Sequence, residues 1–450
     1  MKAAILLMTV LSPILCEVSA LEMSSDLSSD HASYDGDLLR LEGNVFLNHD
    51  LGTMEASVAV LKKGEPLLEF STIELSEKVS IEFEEKGSLF SDKAFLDFQT
   101  LKGTVISQDY PAHFRGKDLD LFSTAIDLTF RKESSSLALD TLHAKENVHL
   151  DYLKDFHLDC DNATFSNETL IASSKSMTTP CHLSHIDEEI DAPKMTFDFD
   201  TELLLFDYPK GKISSFFPSS DSYEPCQFAS NLLTWDHQND LLTLKGGVVI
   251  HDPAVGTLFG ENIFSLQQKS DMGKKVIQSI ETYGKTILAT DDHQTLTSYG
   301  TMKLDREELK MSCTSDDQKQ LIYENQEVSL HADRASIEYT LIGMKLKPHV
   351  IYLDGNVKIF SRSENRPLKK GIADHIIYDP KTGEKRLLAD SPNLVLFWDD
   401  KKNLKLSAPE IVISIDPVEK TERVEGVGSV RFTFTEEEGK LFEKTLKEIP

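Results

Sequence analysis

Hydrophobic and polar residues alternate along most of this 450-residue chain with a period of two, the spacing of a half-buried strand rather than a helix. The clearest stretch is Ile351-Tyr352-Leu353-Asp354-Gly355-Asn356-Val357-Lys358-Ile359-Phe360. In it Ile351, Leu353, Val357 and Ile359 share one face, while Asp354, Asn356 and Lys358 share the other. The glycine falls in the inward row, where a missing side chain lets a sheet bend or lets another group approach the backbone. The unit recurs as Leu39 to Leu47 around Gly43, and as Leu242 to Ile250 around Gly246 and Gly247. Degenerate copies run from Leu142 to Leu150, where Glu146 replaces the glycine, and from Val424 to Phe432. A weaker one is Leu101-Lys102-Gly103-Thr104-Val105.

A second unit accompanies the first: an alanine, one or two polar residues, then a short apolar strand. Ala56, Ala163, Ala229, Ala335, Ala373 and Ala408 head such runs, and from Ala335 the next two start 38 and 35 residues on. A two- or three-strand repeat of that length cannot bury its own apolar face and must stack on its neighbours. The pattern therefore predicts an all-β chain, an elongated antiparallel β-roll or jelly-roll solenoid with an apolar inner row.

Turn signals such as Lys62-Lys63-Gly64 and Asp207-Tyr208-Pro209-Lys210-Gly211 separate the runs. The densest punctuation, Ser214 to Pro225, divides the chain into a first roll at 21–213, a linker or long loop at 214–225 and a second roll at 226–435. The alternative is one continuous sheet across that segment. Glu22 to Asp35 is polar and expected to be loose, and the charged tail 436–450 to be a short helix or a frayed end.

Composition adds three constraints. Lys2, the apolar run from Ala3 to Leu15 and Val18-Ser19-Ala20 make residues 1–20 a secretory signal, so the chain is expected outside the cytoplasm. A formal charge of −28 argues against a nucleic-acid partner. In an oxidising compartment Cys160, Cys181, Cys226 and Cys313 could form up to two disulfides, and spacing does not choose the pairing.

No reaction is specified. Gly284-Lys285-Thr286 resembles the end of a phosphate-binding loop, but Ser279 stands where the first glycine is required. Cys181, His182, His185, Asp187, Glu188 and Glu189 offer metal-ligand types within nine residues, yet read as an exposed acidic loop with a structural cysteine. Acidic pairs such as Glu84-Glu85 and Asp399-Asp400 read as solvated turn charges. Neither a catalytic residue, a cofactor nor a metal is expected.

The units Leu41-Glu42-Gly43-Asn44-Val45-Phe46-Leu47 and Leu353-Asp354-Gly355-Asn356-Val357-Lys358-Ile359, with the alanine-led strands after them, resemble the OstA-like domain of lipopolysaccharide-transport bridge proteins. The resemblance implies a periplasmic protein of a Gram-negative envelope, either free or associated with the outer membrane, whose half-open roll cradles acyl chains. Its partners would be lipopolysaccharide or a related glycolipid, together with similarly folded inner- or outer-membrane transport proteins docked edge to edge. Head-to-tail self-assembly is implied as well. Leu41, Val45, Leu47, Val248, Ile250, Leu353, Val357 and Ile359 would line the groove; the alternative for the same residues is a closed core. The chain is longer than a single such domain and lacks the outer-membrane barrel of the family's receptor members. Its charge would repel an anionic glycolipid, which leaves headgroup phosphates to divalent cations or to bases such as Arg366, Lys369 and Lys370. The second functional reading is a secreted β-solenoid that serves as a structural or adhesive scaffold.

Overall fold

The computed structural model describes residues 26–447 apart from 65–69, 85, 109, 133–136, 177, 214–224, 254, 262, 272–273, 291–292, 317–318, 343–344, 364–365 and 416–420. The expected signal at 1–20 lies outside the described residues, as does nearly all of the expected linker. What is described is almost entirely antiparallel strand, with 39 strands and one helix, Glu436–Lys447.

The strands form two facing sheets, and the chain visits them in turn, one hairpin at a time. Lys194–Asp198 and Leu203–Asp207 pair in the first sheet; Lys210–Ile213 and Cys226–Ala229 pair in the second; Leu232–Asp236 and Leu241–Lys245 return to the first. In the second sheet, successive hairpins open at Lys210, Val248, Thr286 and Leu321, 38, 38 and 35 residues apart. Hence the repeat read from the alanines is one hairpin in each sheet. Both sheets run through the expected boundary, because Leu203 pairs with Asp236 and Ile213 with Cys226. The strands on either side of residues 214–224 are therefore paired with each other in both sheets.

The longest strands, among them Leu38–His49, Leu137–Tyr152 and Lys345–Ser363, serve both sheets by bending in the middle. The bend is the glycine motif. Gly355 and Asn356 both have left-handed backbones, φ 78° and 45°, as do Gly43 and Asn44 at 75° and 45°. Leu353 pairs with Ile376 and Val357 with Ala373, so this strand spends four steps where its partner spends three. Two consecutive left-handed residues form a bulge that turns the strand from one sheet into the other. Alternation had put Gly355 in an inward row; it stands instead at a corner, where an added Cβ would lie 2.7 Å from Asp333 Oδ2.

Glu146 and Asn147 (φ 64° and 51°) make the same corner without glycine, and so do Glu77 and Lys78 (62° and 57°), a copy the motif search misses. Gly103, by contrast, sits within an ordinary strand, Lys102–Ile106, so that weaker copy is not a corner; in the copy from Val424 to Phe432 the turn falls at Gly428 (φ 91°), after which Arg431 pairs with Ser407 of the other sheet. Backbone bonds link successive corners into a spine, as in Tyr208 N to Asn231 O, Asn231 N to Gly246 O, and Asp333 N to Gly355 O. Where the two sheets converge beside the spine little space remains, and of the alanines that head the second unit Ala56, Ala163, Ala335, Ala373 and Ala408 lie buried there, while Ala229 is half-buried. The alanine-led unit is this inner corner.

One terminal expectation changes. Part of Glu22 to Asp35 is paired rather than loose, since Leu27–Ser28 and His31–Tyr34 dock antiparallel on Leu38–His49. An edge strand offers open N–H and C=O groups, and even a polar segment can satisfy them. The tail forms a helix that buries Phe442 against Trp398 and Phe434, with ring centroids 6.1 and 5.1 Å apart.

Candidate functional site: the interior of the roll and its mouth

All eight expected groove residues point into the space between the sheets. Leu41 and Leu353 come from the first sheet, and Val45, Leu47, Val248, Ile250, Val357 and Ile359 from the second. Each is 0–4% exposed, and all belong to one apolar core that runs from Leu41 to Ile413. The expected trough is therefore closed along these residues in the chain alone. Trp235, Phe114, Phe206, Phe264 and Phe397 fill it. A wholly apolar seam between Leu150, Tyr152, Leu158, Leu170, Phe197 and Phe206 leaves only about 20 Å³. That is room for roughly one water and none for an alkyl chain.

The two long sides of this interior differ. Every described crossing between the sheets lies on the spine, and the opposite side, the mouth, is bounded by two rows of hairpin ends. Among the described residues no backbone ladder crosses the mouth; side chains close it. Near the middle, Tyr152 and Phe156 from one row meet Phe197 and Phe199 from the other, with Tyr152 edge-on to both at 5.0 and 4.8 Å. Beside them His185 stacks on Phe156 at 4.0 Å and meets Trp235 at 5.3 Å. Glu188, 2% exposed, accepts from His185 Nδ1 at 3.3 Å and from Gln268 Nε2 of the facing sheet. Further along, Lys86 reaches Glu168 at 3.4 Å. Asn325 Nδ2 donates to Tyr378 Oη at 3.4 Å, and burial pushes that phenol above its usual range. Lys369 bridges Asp399, at 3.9 Å, and Glu422.

These clasps carry no local sequence signal, because the partners lie up to 82 residues apart (Lys86 and Glu168) and meet only through the stacking of repeats. The segment Cys181 to Glu189 is likewise corrected. It is a hairpin of Cys181–His185 and Glu188–Ala192 with His185 and Glu188 buried, not an exposed loop. Of the three bases considered for headgroups, Lys369 is held by carboxylates and Lys370 lies over the Trp398 ring at 5.7 Å. The Arg366 side chain lies outside the described residues. Gly284-Lys285-Thr286 is a corner leading into the strand Thr286–Ala289, with no helix after it.

A cavity of about 1040 Å³ lies against the second sheet's outward side, beneath the terminal helix. Lys358, His331 and Leu396 line it from the sheet, and Arg431, Glu438 and Leu441 from the tail. Sequence reading assigned Lys358 to a polar outward row; the helix turns that row into a half-covered chamber in which Lys358 is 8% exposed.

No family model matches the chain, and no curated protein matches it either. Among solved structures, the Photorhabdus luminescens Tc holotoxin pore with the TccC3-D651A mutation matches at 7% identity, over 90% of this chain and 28% of that one. The TM-score is 0.07, a value at which the two backbones share no fold.

Proposed function

We propose that the protein is a periplasmic carrier for the acyl chains of lipopolysaccharide or a related glycolipid, working as a bridge toward the outer membrane and performing no chemistry. The observation that carries this reading is the asymmetry of the roll: an unbroken apolar interior, joined covalently along the spine and shut by side chains along the mouth. Parting the rows of hairpins costs those clasps and some apolar contact. Each methylene admitted returns about 0.8 kcal/mol, so a twelve-carbon chain contributes roughly 10 kcal/mol before the cost of opening. The sugar and phosphate headgroup stays at the mouth in water, where divalent cations offset the protein's negative charge. Partners of the same fold, or second copies, add strands to the roll's ends, where Leu27–Ser28, His31–Tyr34 and Glu422–Val427 each keep one edge without a described ladder partner.

The filled interior favours a second reading, a structural scaffold whose repeats only pack. Two measurements separate them. Protein purified from its host envelope is analysed for bound lipid by mass spectrometry, and fluorescent lipopolysaccharide is titrated into the full chain. The carrier yields a co-purifying amphiphile and saturable binding. Binding falls when bis-maleimide cross-links between cysteines placed at Lys86 and Glu168, and at Glu188 and Gln268, hold the mouth shut. No amphiphile and no binding, or binding that the cross-links leave unchanged, removes the interior as a lipid site.

A further inference from the structure

On the outward face of the second sheet, strands Leu137–Tyr152 and Phe156–Ser166 set His149 opposite Asp159, and Asp151 opposite His157. Two His-Leu-Asp triplets, 149–151 and 157–159, flank one tight turn, and antiparallel pairing gathers their four polar side chains on one face. We propose that His149, Asp151 and His157 bind a divalent transition-metal ion, with zinc the representative case.

The geometry fits such an ion. One ligand atom from each of the three residues falls within 4.8 Å of the others. Asp151 Oδ1 lies 3.3 Å from His149 Nε2 and 2.5 Å from His157 Nδ1. Ligands about 2.1 Å from a tetrahedral ion stand roughly 3.4 Å apart. The His149 and Asp151 atoms already have that separation, and His157 needs to withdraw by somewhat under 1 Å, which a half-exposed side chain does by rotation. A cation would then occupy the place of the proton that Asp151 and His157 share.

Asp159 supplies the feature that sets this group apart from an ordinary surface pair. Its Oδ1 accepts from His149 Nδ1 at 2.8 Å, which leaves Nε2, the atom facing Asp151, with its lone pair outward. A carboxylate behind a ligating imidazole fixes the tautomer and ring orientation and raises the ligand's basicity. Neighbouring strands repeat the pairing singly, His113 with Asp120 at 2.6 Å and His182 with Asp191 at 2.8 Å. Each of those has one imidazole, and neither belongs to a three-residue ligand group among the described residues. Two imidazoles and a carboxylate favour zinc, copper or nickel over magnesium and calcium, which take oxygen ligands. With partial exposure on every ligand, water completes the coordination.

Zinc is titrated calorimetrically into tag-free full-length protein at neutral pH, and cobalt substitution is read by its visible absorption. We expect one site with micromolar affinity, undisturbed by millimolar calcium. His149→Gln and His157→Gln should each weaken it at least tenfold. Asp159→Asn, which leaves all three ligands in place, should weaken it on the order of tenfold, and His182→Gln should leave it unchanged. Circular dichroism of the variants should stay that of the parent, because all four side chains are on the surface. Absence of zinc binding at 100 μM, or affinity unaltered in the His149→Gln/His157→Gln double variant, overturns the assignment.

Discussion

Asp333 holds the corner formed by Gly355 and Asn356 from two directions: its carboxylate accepts from Asn356 Nδ2 at 2.7 Å, and its N–H donates to Gly355 O at 3.0 Å. Asp30 grips Gly43 and Asn44 in the same way, at 2.9 Å for each bond. A side chain at Gly355 would meet a left-handed backbone and the Asp333 carboxylate together. Gly355→Ala should therefore destabilise the roll by about 1–2 kcal/mol from the backbone alone, seen as a lower urea midpoint. Glu77→Gly should do the reverse by up to about 1 kcal/mol, since Glu77 holds φ 62° with a Cβ. Equal effects of the same sign would disprove the corner argument.

Closure of the mouth gives a second expectation. Glu188→Ala leaves Gln268 and His185 facing a gap, a loss of about 1–3 kcal/mol. Hydrogen exchange should quicken in Cys181–His185 and Glu188–Ala192 well before it does at the spine bonds of Asn231 and Asp333. Uniform acceleration along the chain would mean that the mouth does not open separately.

The cysteines are separable. Cys160 follows Asp159 and Cys181 precedes its pairing partner His182, and their thiols are hydrogen-bonded to each other. That bond holds the Cys181 thiol below its ordinary range and, with burial, the Cys160 thiol above it. Oxidised glutathione should link these two, one S–S bond forming as two protons and two electrons pass to yield two glutathione thiols. Burial pushes the thiols of Cys226 and Cys313 up, and they should stay reduced. Non-reducing peptide mapping reads the result, and a bridge to Cys226 or Cys313 would contradict it.

Two histidines should make stability respond to pH in opposite senses. His375 lies between Asp354, at 2.8 Å, and Asp390, at 3.1 Å, and these carboxylates raise its pKa. Its contribution is complete below the unfolded value near 6.5 and fades as pH rises through the higher folded value. Burial lowers the pKa of His143, so its contribution is complete above about 6.5 and fades as pH falls. In melting temperatures between pH 5 and 8, His375→Gln should remove a decline toward alkaline pH and His143→Gln a decline toward acid. The same slope change from both would refute the assignment.

Periodicity alone carried much of the architecture, because a half-buried strand writes its inner face into every second residue and the hairpin repeat writes its length into the alanines. The glycine's role was less legible: alternation assumes a flat strand and cannot register that Gly355 and Asn356 together count as one step. For that reason Leu75-Ser76-Glu77-Lys78-Val79-Ser80-Ile81 went unnoticed, although Leu75, Val79 and Ile81 keep the spacing of Leu41, Val45 and Leu47. The mouth was illegible, since its partners sit in different repeats. The histidine cluster had a visible sign in its doubled His-Leu-Asp, which gains meaning only once a turn brings the two copies face to face.

Since the chain comes back to the spine after every hairpin, no segment has to reach beyond the neighbours on which it stacks. The reach of the molecule then becomes a matter of arithmetic: each added block of 35–38 residues lengthens it by two strand widths, about 10 Å. Gene duplication can fit such an object to any gap it has to span without inventing a new interface.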